Sequence, residues 1–213
     1  MFYAKYSYLW KQMLKPVLIS LLVLLAGCAS PVEERVFPLE EMAEGDLAFR
    51  CGQGLFSRIV TTAESEGVYS HIGLLVRDEG DWKIAHAVPG EKEFKGDFDR
   101  VKLEDLNVFF SADRAMRGCL VHTGLVRESA KALELCRQAI LSARDSVRFD
   151  NDYSLEDSSK VYCTEFVWRL FRRQGIDLAE GRCRQFNTLY LNGDVLLPEH
   201  LLHYSNNTVY YTF

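Results

Sequence analysis

The sequence predicts an α+β domain in which an antiparallel sheet packs against helices. Two apolar runs, SHIGLLVR at 70–77 and WKIAHAV at 82–88, flank the turn residues Glu79-Gly80-Asp81, which is the pattern of a β-hairpin. Residues 128–144 and 163–173 repeat apolar side chains at three- and four-residue steps, as half-buried helices do. The chain has 213 residues, 48% hydrophobic and 26% charged, which suits a single ordinary core.

Residues 1–27 stand apart. They hold Lys5, Lys11, Lys15 and no acid, followed by the apolar run Val17–Ala26. Ten apolar residues are too few to cross a bilayer, which takes about 20. A basic start and a short apolar stretch make an export signal instead. Residues 31–44 carry two prolines and several glutamates without an apolar period, so 28–44 reads as a tether, and the domain is expected over 45–213. Beyond residue 27 the count is 22 bases against 30 acids, or −8, which argues against nucleic acid as a partner.

Within the domain, DLAFR (46–50) alternates as a strand, 56–63 reads as a short helix, and the hairpin places His71 and His86 on neighbouring strands. A polar loop follows over 90–99, with a short strand at 101–103 and another at 119–122. In the helix at 128–144 the apolar face is Ala132, Leu133, Cys136, Ala139 and Ile140. In the helix at 163–173 it is Cys163, Phe166, Val167, Leu170 and Phe171, with Gly175 as the stop and Asp157, Ser158 and Ser159 as candidate caps. A short helix at 195–203 and a closing strand at 208–213 complete the chain.

Cys163 stands at the first turn of a helix, where free backbone N–H groups and the positive end of the dipole favour a thiolate. A histidine suits it as general base, and His71 on a core strand is the candidate. His86, one strand over, could orient that histidine. The Cys163 N–H is the expected oxyanion donor, with Tyr162 or Tyr153 as helpers, and Arg50, Gln53, Gly54 and Ser57 form a polar turn that could line a groove. Cys51, Cys119, Cys136 and Cys183 allow three disulfide pairings in an oxidising compartment. No cysteine or histidine spacing favours a metal, and no cofactor is expected.

Two resemblances add to this. Leu25-Ala26-Gly27-Cys28 resembles the lipobox of bacterial lipoproteins, which implies that Cys28 is acylated, becomes the mature N-terminus and anchors the chain in a membrane. Ala29 after the cysteine implies the outer membrane, facing the periplasm. The segments GDLAFR (45–50), YSHIG (69–73) and YCTEFV (162–167), in that order, resemble the YiiX/YaeF-like permuted papain-fold cysteine hydrolases, relatives of NlpC-like amidases. That resemblance implies a circularly permuted papain-like fold with the histidine strand before the cysteine helix, Cys163 as nucleophile and His71 as base. The family's third polar residue is commonly Glu, and here His86 stands in its place, as in the lecithin:retinol acyltransferase-like branch.

The expected function is therefore a membrane-anchored thiol hydrolase that cleaves an amide in a peptide, lipoprotein or cell-wall substrate. Phospholipid or ester hydrolysis and acyl transfer is the alternative within enzymes. A noncatalytic envelope-binding lipoprotein is the alternative outside them.

Overall fold

The computed structural model describes residues 35–125, 129–188 and 191–213. The export leader, Cys28, the first part of the tether and the expected start of the helix at 128 lie outside the described residues. The element order is β1 (Leu47–Cys51), α1 (Leu55–Ala63), β2 (His71–Asp78), β3 (Asp81–Val88), β4 (Arg100–Asp105), α2 (Leu106–Phe109), β5 (Arg117–His122) and α3 (Ala130–Arg144). Then come β6 (Arg148–Phe149), β7 (Lys160–Val161), α4 (Cys163–Arg173), β8 (Arg184–Asn187), β9 (Asn192–Val195), α5 (Pro198–Leu202) and β10 (Thr208–Thr212).

One sheet runs β10-β5-β1-β2-β3-β4-β6-β7, antiparallel except for the last pair, and β8-β9 form a separate hairpin. The β2–β3 turn places Glu79 at φ 54° and Gly80 at φ 95°. Two consecutive left-handed residues make the type of turn that follows the natural twist of the strands, which is why the hairpin is tight and its register fixed. The register pairs Leu74 with Ala85 and Asp78 with Asp81.

Alternate residues face opposite sides. Leu47, Phe49, Ile72, Leu74, Val76, Ala85 and Val101 pack under α3 and α4 with Leu135, Phe166, Val167 and Phe171. Ala48, Leu75, Ile84 and Leu120 pack on the other side against Phe109 and Phe110. On α3 the buried face is Ala132, Leu135, Cys136, Ala139 and Ala143, while Leu133, expected inside, is half exposed. Ser129 caps that helix by accepting from the Ala132 N–H at 3.2 Å.

Three further expectations are corrected. Among the described residues packing already includes 35–44, ahead of Gly45: the Phe37 ring lies 5.6 Å from those of Phe110 and Tyr211, and Met42 is buried. Aromatic and sulfur side chains within the glutamate-rich stretch hold it on the sheet. Asp157 and Ser159 do not cap α4, because the short strand β7 intervenes and Asp157 instead accepts from the Ser159 N–H at 2.8 Å. Cys51, Cys119, Cys136 and Cys183 are free thiols, the first three buried, so the core is closed by packing without a disulfide among them.

Candidate active site

His71 opens β2 and His86 lies near the end of β3. The register sets Gly73 opposite His86, so His71, two residues before Gly73, shares a face with His86 and is its diagonal neighbour. The side-chain parity required of the pair is therefore met, and His71 Nε2 lies 2.8 Å from His86 Nδ1. Gly73 makes the approach possible. A Cβ there would come within 2.4 Å of Ile84 Cγ2 and 3.1 Å of His86 Cβ.

The line continues beyond His86. Ile84 pairs with Glu104 and His86 with Lys102 on β4, and His86 Nε2 lies 3.1 Å from Glu104 Oε2. Arg114 Nη1 donates to both oxygens of Glu104, at 2.8 and 2.9 Å, and to Glu91 Oε2 at 3.0 Å. Arg50, opposite His71 on β1, donates to Glu91 and to the Phe109 carbonyl, with its guanidinium 4.4 Å from the Phe109 ring centre. Burial pushes the His71 imidazole well below its ordinary value, and the positive Arg50 and neighbouring His86 push the same way. Burial also lowers His86, against the opposing pull of Glu104. Burial alone would raise the Glu104 carboxyl, but His86 and Arg114 hold it at about 2.

Glu104 can only accept, so a neutral His86 with its hydrogen on Nε2 suits this neighbour and leaves Nδ1 to accept from the His71 Nε2–H. In that tautomer His71 Nδ1 is the nitrogen without a proton.

Cys163 reaches the same place from the helix layer. The Leu75 N–H donates to Asp46 on the β1 side, so the Ile72 N–H points the other way, toward β3. The β2–β3 pairing ends at Leu74–Ala85, and the Ile72 N–H beyond it is among the backbone groups that favour the ionised Cys163 sulfur. Thr164 Oγ1 lies 3.7 Å from that sulfur, and the N–H groups of Cys163 and Thr164 face it as well. His71 and Cys163 line one cavity of about 690 Å³, together with Arg50, Gln53, Ser57 and Tyr153. No hydrogen bond joins the Cys163 sulfur to His71. Burial raises the Cys163 thiol above its ordinary value, outweighing the backbone donors, which disfavours the expected thiolate, and burial likewise favours a neutral His71 in the shared cavity.

Of the remaining sequence candidates, Tyr153 lines the cavity in left-handed backbone (φ 54°), and burial and the nearby Cys163 keep its hydroxyl protonated. Tyr162 does not line it: its hydroxyl accepts from the Leu196 N–H at 2.9 Å, which locks the ring into the core. Glu104, Arg114 and Glu91 escaped the sequence reading. Glu104 was legible in principle, since Val101-Lys102-Leu103-Glu104 alternates and puts two charges on the face that carries His86.

No protein-family model matches the chain, and no curated protein matches it. Among solved structures it is similar to the metalloprotein yiiX from Escherichia coli O157:H7, at 16% identity and a TM-score of 0.65 over 80% of this chain and 97% of that one. The chain shares the yiiX fold. That fold is the α+β class expected from the sequence, an antiparallel-rich sheet packed against helices, and it is consistent with a papain-like fold. A metal does not fit here. Among the described residues no group of three or more His, Cys, Asp or Glu side chains is arranged to hold an ion. The facing nitrogens of His71 and His86, 2.8 Å apart, leave no room for one between them, since each metal–nitrogen bond needs about 2 Å.

Proposed function

We propose that the chain is a thiol hydrolase of the bacterial envelope, anchored through acylated Cys28 at the outer membrane and facing the periplasm. The observation that carries the hydrolase reading is the shared cavity of Cys163 and His71, backed by the proton-directing line His71–His86–Glu104.

In this reading His71 Nδ1 takes the thiol proton as the Cys163 sulfur bonds to the substrate carbonyl carbon. The oxyanion that forms is met by the N–H of Cys163 and the hydroxyl of Tyr153. The carbon–nitrogen bond then breaks, and the amine leaves with the proton held on His71. Water, deprotonated by His71, attacks the thioester, releases the acid and restores the thiol. His86 and Glu104 act as positioning residues, keeping His71 in the tautomer that exposes Nδ1 as a base. The amide belongs to a peptide, a lipoprotein or cell-wall material.

A second reading is favoured by one observation. The group next to His71 is a histidine, as in the acyltransferase-like branch, so the bond cut would be a lipid ester and the leaving group an alcohol. Mass spectrometry of Cys163 after exposure to envelope extract tests both. An acyl adduct on that peptide, absent from His71→Ala, is expected, and its mass names the acyl group. No adduct under any quench condition would overturn the hydrolase reading.

A further inference from the structure

We infer that Glu91, on the loop between β3 and β4, is a further positioning residue for the proposed reaction. Its carboxylate neutralises Arg50 and braces Arg114, closing the line that starts at His71 into a ring. The chemistry assigned to it rests on the hydrolase reading, and three observations carry it.

The first is the ring itself. From His71 the contacts run to His86 at 2.8 Å, from His86 to Glu104 at 3.1 Å, from Glu104 to Arg114 at 2.8 Å and from Arg114 to Glu91 at 3.0 Å. Arg50 donates to the other oxygen of Glu91 and stands opposite His71 on β1, which returns the line to its start. Phe109 packs against three members, its ring centre 5.7 Å from that of His71, 5.0 Å from that of His86 and 4.4 Å from the Arg50 guanidinium.

The second is how Glu91 is held. Lys102, opposite His86 on β4 and fully buried, donates through Nζ to the Glu91 carbonyl and lies 3.3 Å from Asp97. Asp97 in turn accepts from the Glu93 N–H at 3.0 Å and from Arg100 Nε at 2.9 Å. Buried charges from the sheet thus pin the backbone of the loop, and the Glu91 side chain is left to reach Arg50 and Arg114.

The third is electrostatic. Arg50 is 2% exposed, and Glu91 is the one carboxylate in ion-pair contact with it among the described residues. The titratable groups around His71 are Arg50 from β1, His86 from β3 with Glu104 behind it on β4, and Cys163 and Tyr153, which share its cavity. Lys92, Asp99 and Asp113 complete, with Arg50, Glu91 and Arg114, the charged lining of that cavity. On taking the thiol proton, His71 becomes a cation close to a buried cation. A carboxylate that offsets Arg50 makes that step easier, and Glu91 is placed to do so.

The test compares two pH profiles in the full-length chain, acylation by p-nitrophenyl acetate and alkylation of Cys163 by iodoacetamide. Glu91→Gln keeps the shape and removes the charge. The uncompensated Arg50 should move the acid limb of acylation and the midpoint of alkylation to lower pH by about half to one unit each, since added positive charge disfavours imidazolium and favours thiolate. Glu91→Asp should restore most of both shifts. The double variant R50Q/E91Q, which leaves no unpaired buried cation to threaten the fold, should bring both profiles back toward the parent. Glu93→Gln, the same change of charge two residues along the loop and outside the cavity lining, should move neither.

A lower rate with both profiles fixed in pH would make Glu91 a structural brace alone and overturn the proposal. Equal shifts from Glu93→Gln, or shifts that persist in R50Q/E91Q, would overturn it too. The two readings fail separately. Acylation that is indifferent to His71→Ala sinks the hydrolase reading, whereas an alkylation midpoint that still moves in Glu91→Gln upholds the coupling of Glu91 to the cavity.

Discussion

Strands β1 to β4 carry two buried faces made from alternate residues of the same short segments. One face, with Leu47, Phe49, Ile72, Leu74 and Val101, is apolar from end to end. The other carries Arg50, His71, His86, Lys102 and Glu104, of which Arg50 and His71 line the cavity, and every one of these is less than 9% exposed. Burying ionisable groups is costly, and well-packed apolar residues in their place would hold the fold at least as firmly. Each is kept by a partner: Glu91 for Arg50, Asp97 at 3.3 Å for Lys102, Arg114 for Glu104, and the histidines for each other. The apolar face accounts for stability. The charged face is what the proposed hydrolase needs to move a proton.

That division can be broken first at His71. His71→Ala, which removes the proposed base, should slow acylation by p-nitrophenyl acetate by about 10³–10⁴-fold while costing about 1–3 kcal/mol in urea, the penalty of leaving His86 Nδ1 unpaired. Leu74→Ala on the other face should do the reverse. It should destabilise the domain by about 2–5 kcal/mol in urea and leave the acylation rate per folded molecule close to that of the parent. Equal losses of stability from the two changes would show that the faces are not separable.

Glu104→Gln sharpens the comparison because it keeps shape and removes charge. The amide can donate to His86 as well as accept from it, so the tautomer is no longer enforced. We expect a rate loss of about 10²-fold, read as a fall in kcat at nearly constant KM, with partial recovery in Glu104→Asp.

Acidity supplies a gentler probe. The folded His71 binds a proton less readily than the unfolded chain, whose value is near 6.5, so the unfolded state takes up more protons below that pH. Stability from this group is present above pH 6.5 and is lost as pH falls through the depressed folded value. Activity should show an acid limb below 6.5 that vanishes in His71→Ala. Glu64 has the opposite sign. Burial, reinforced by nearby Glu199, raises it to about 7, so stability is full below about 4.5 and declines as pH rises through 7. Glu64→Gln, whose amide oxygen can still accept from the Glu199 N–H, should raise stability at pH 8 by about 1 kcal/mol and have no effect at pH 4.

Much of the fold was legible because its signals are local. Glu79-Gly80-Asp81 announces the hairpin, the hairpin sets the parity of His71 and His86, and Cys163-Phe166-Val167-Leu170 announces α4. Glu104 was missed because a six-residue strand of mixed charge does not reveal which face is buried until Phe109 covers it. The two-residue strands β6 and β7 are too short for any period to show. The stretch at 35–44 misled for a related reason: its glutamates suggest a free linker, and only the three-dimensional sheet reveals a seat for Phe37 and Met42. The thiolate expectation weighed the helix dipole but could not weigh desolvation, which depends on neighbours distant in sequence.

The parting of β2 and β3 at Gly73 has one more implication. The ladder is open beyond Leu74–Ala85, and there the Ile72 main-chain amide favours the ionised sulfur. A main-chain group does not depend on which residue stands at position 72, so that site should tolerate Val or Leu with the reactivity of Cys163 intact, whereas a side chain at 73 would meet Ile84 and His86 and push the two strands out of true.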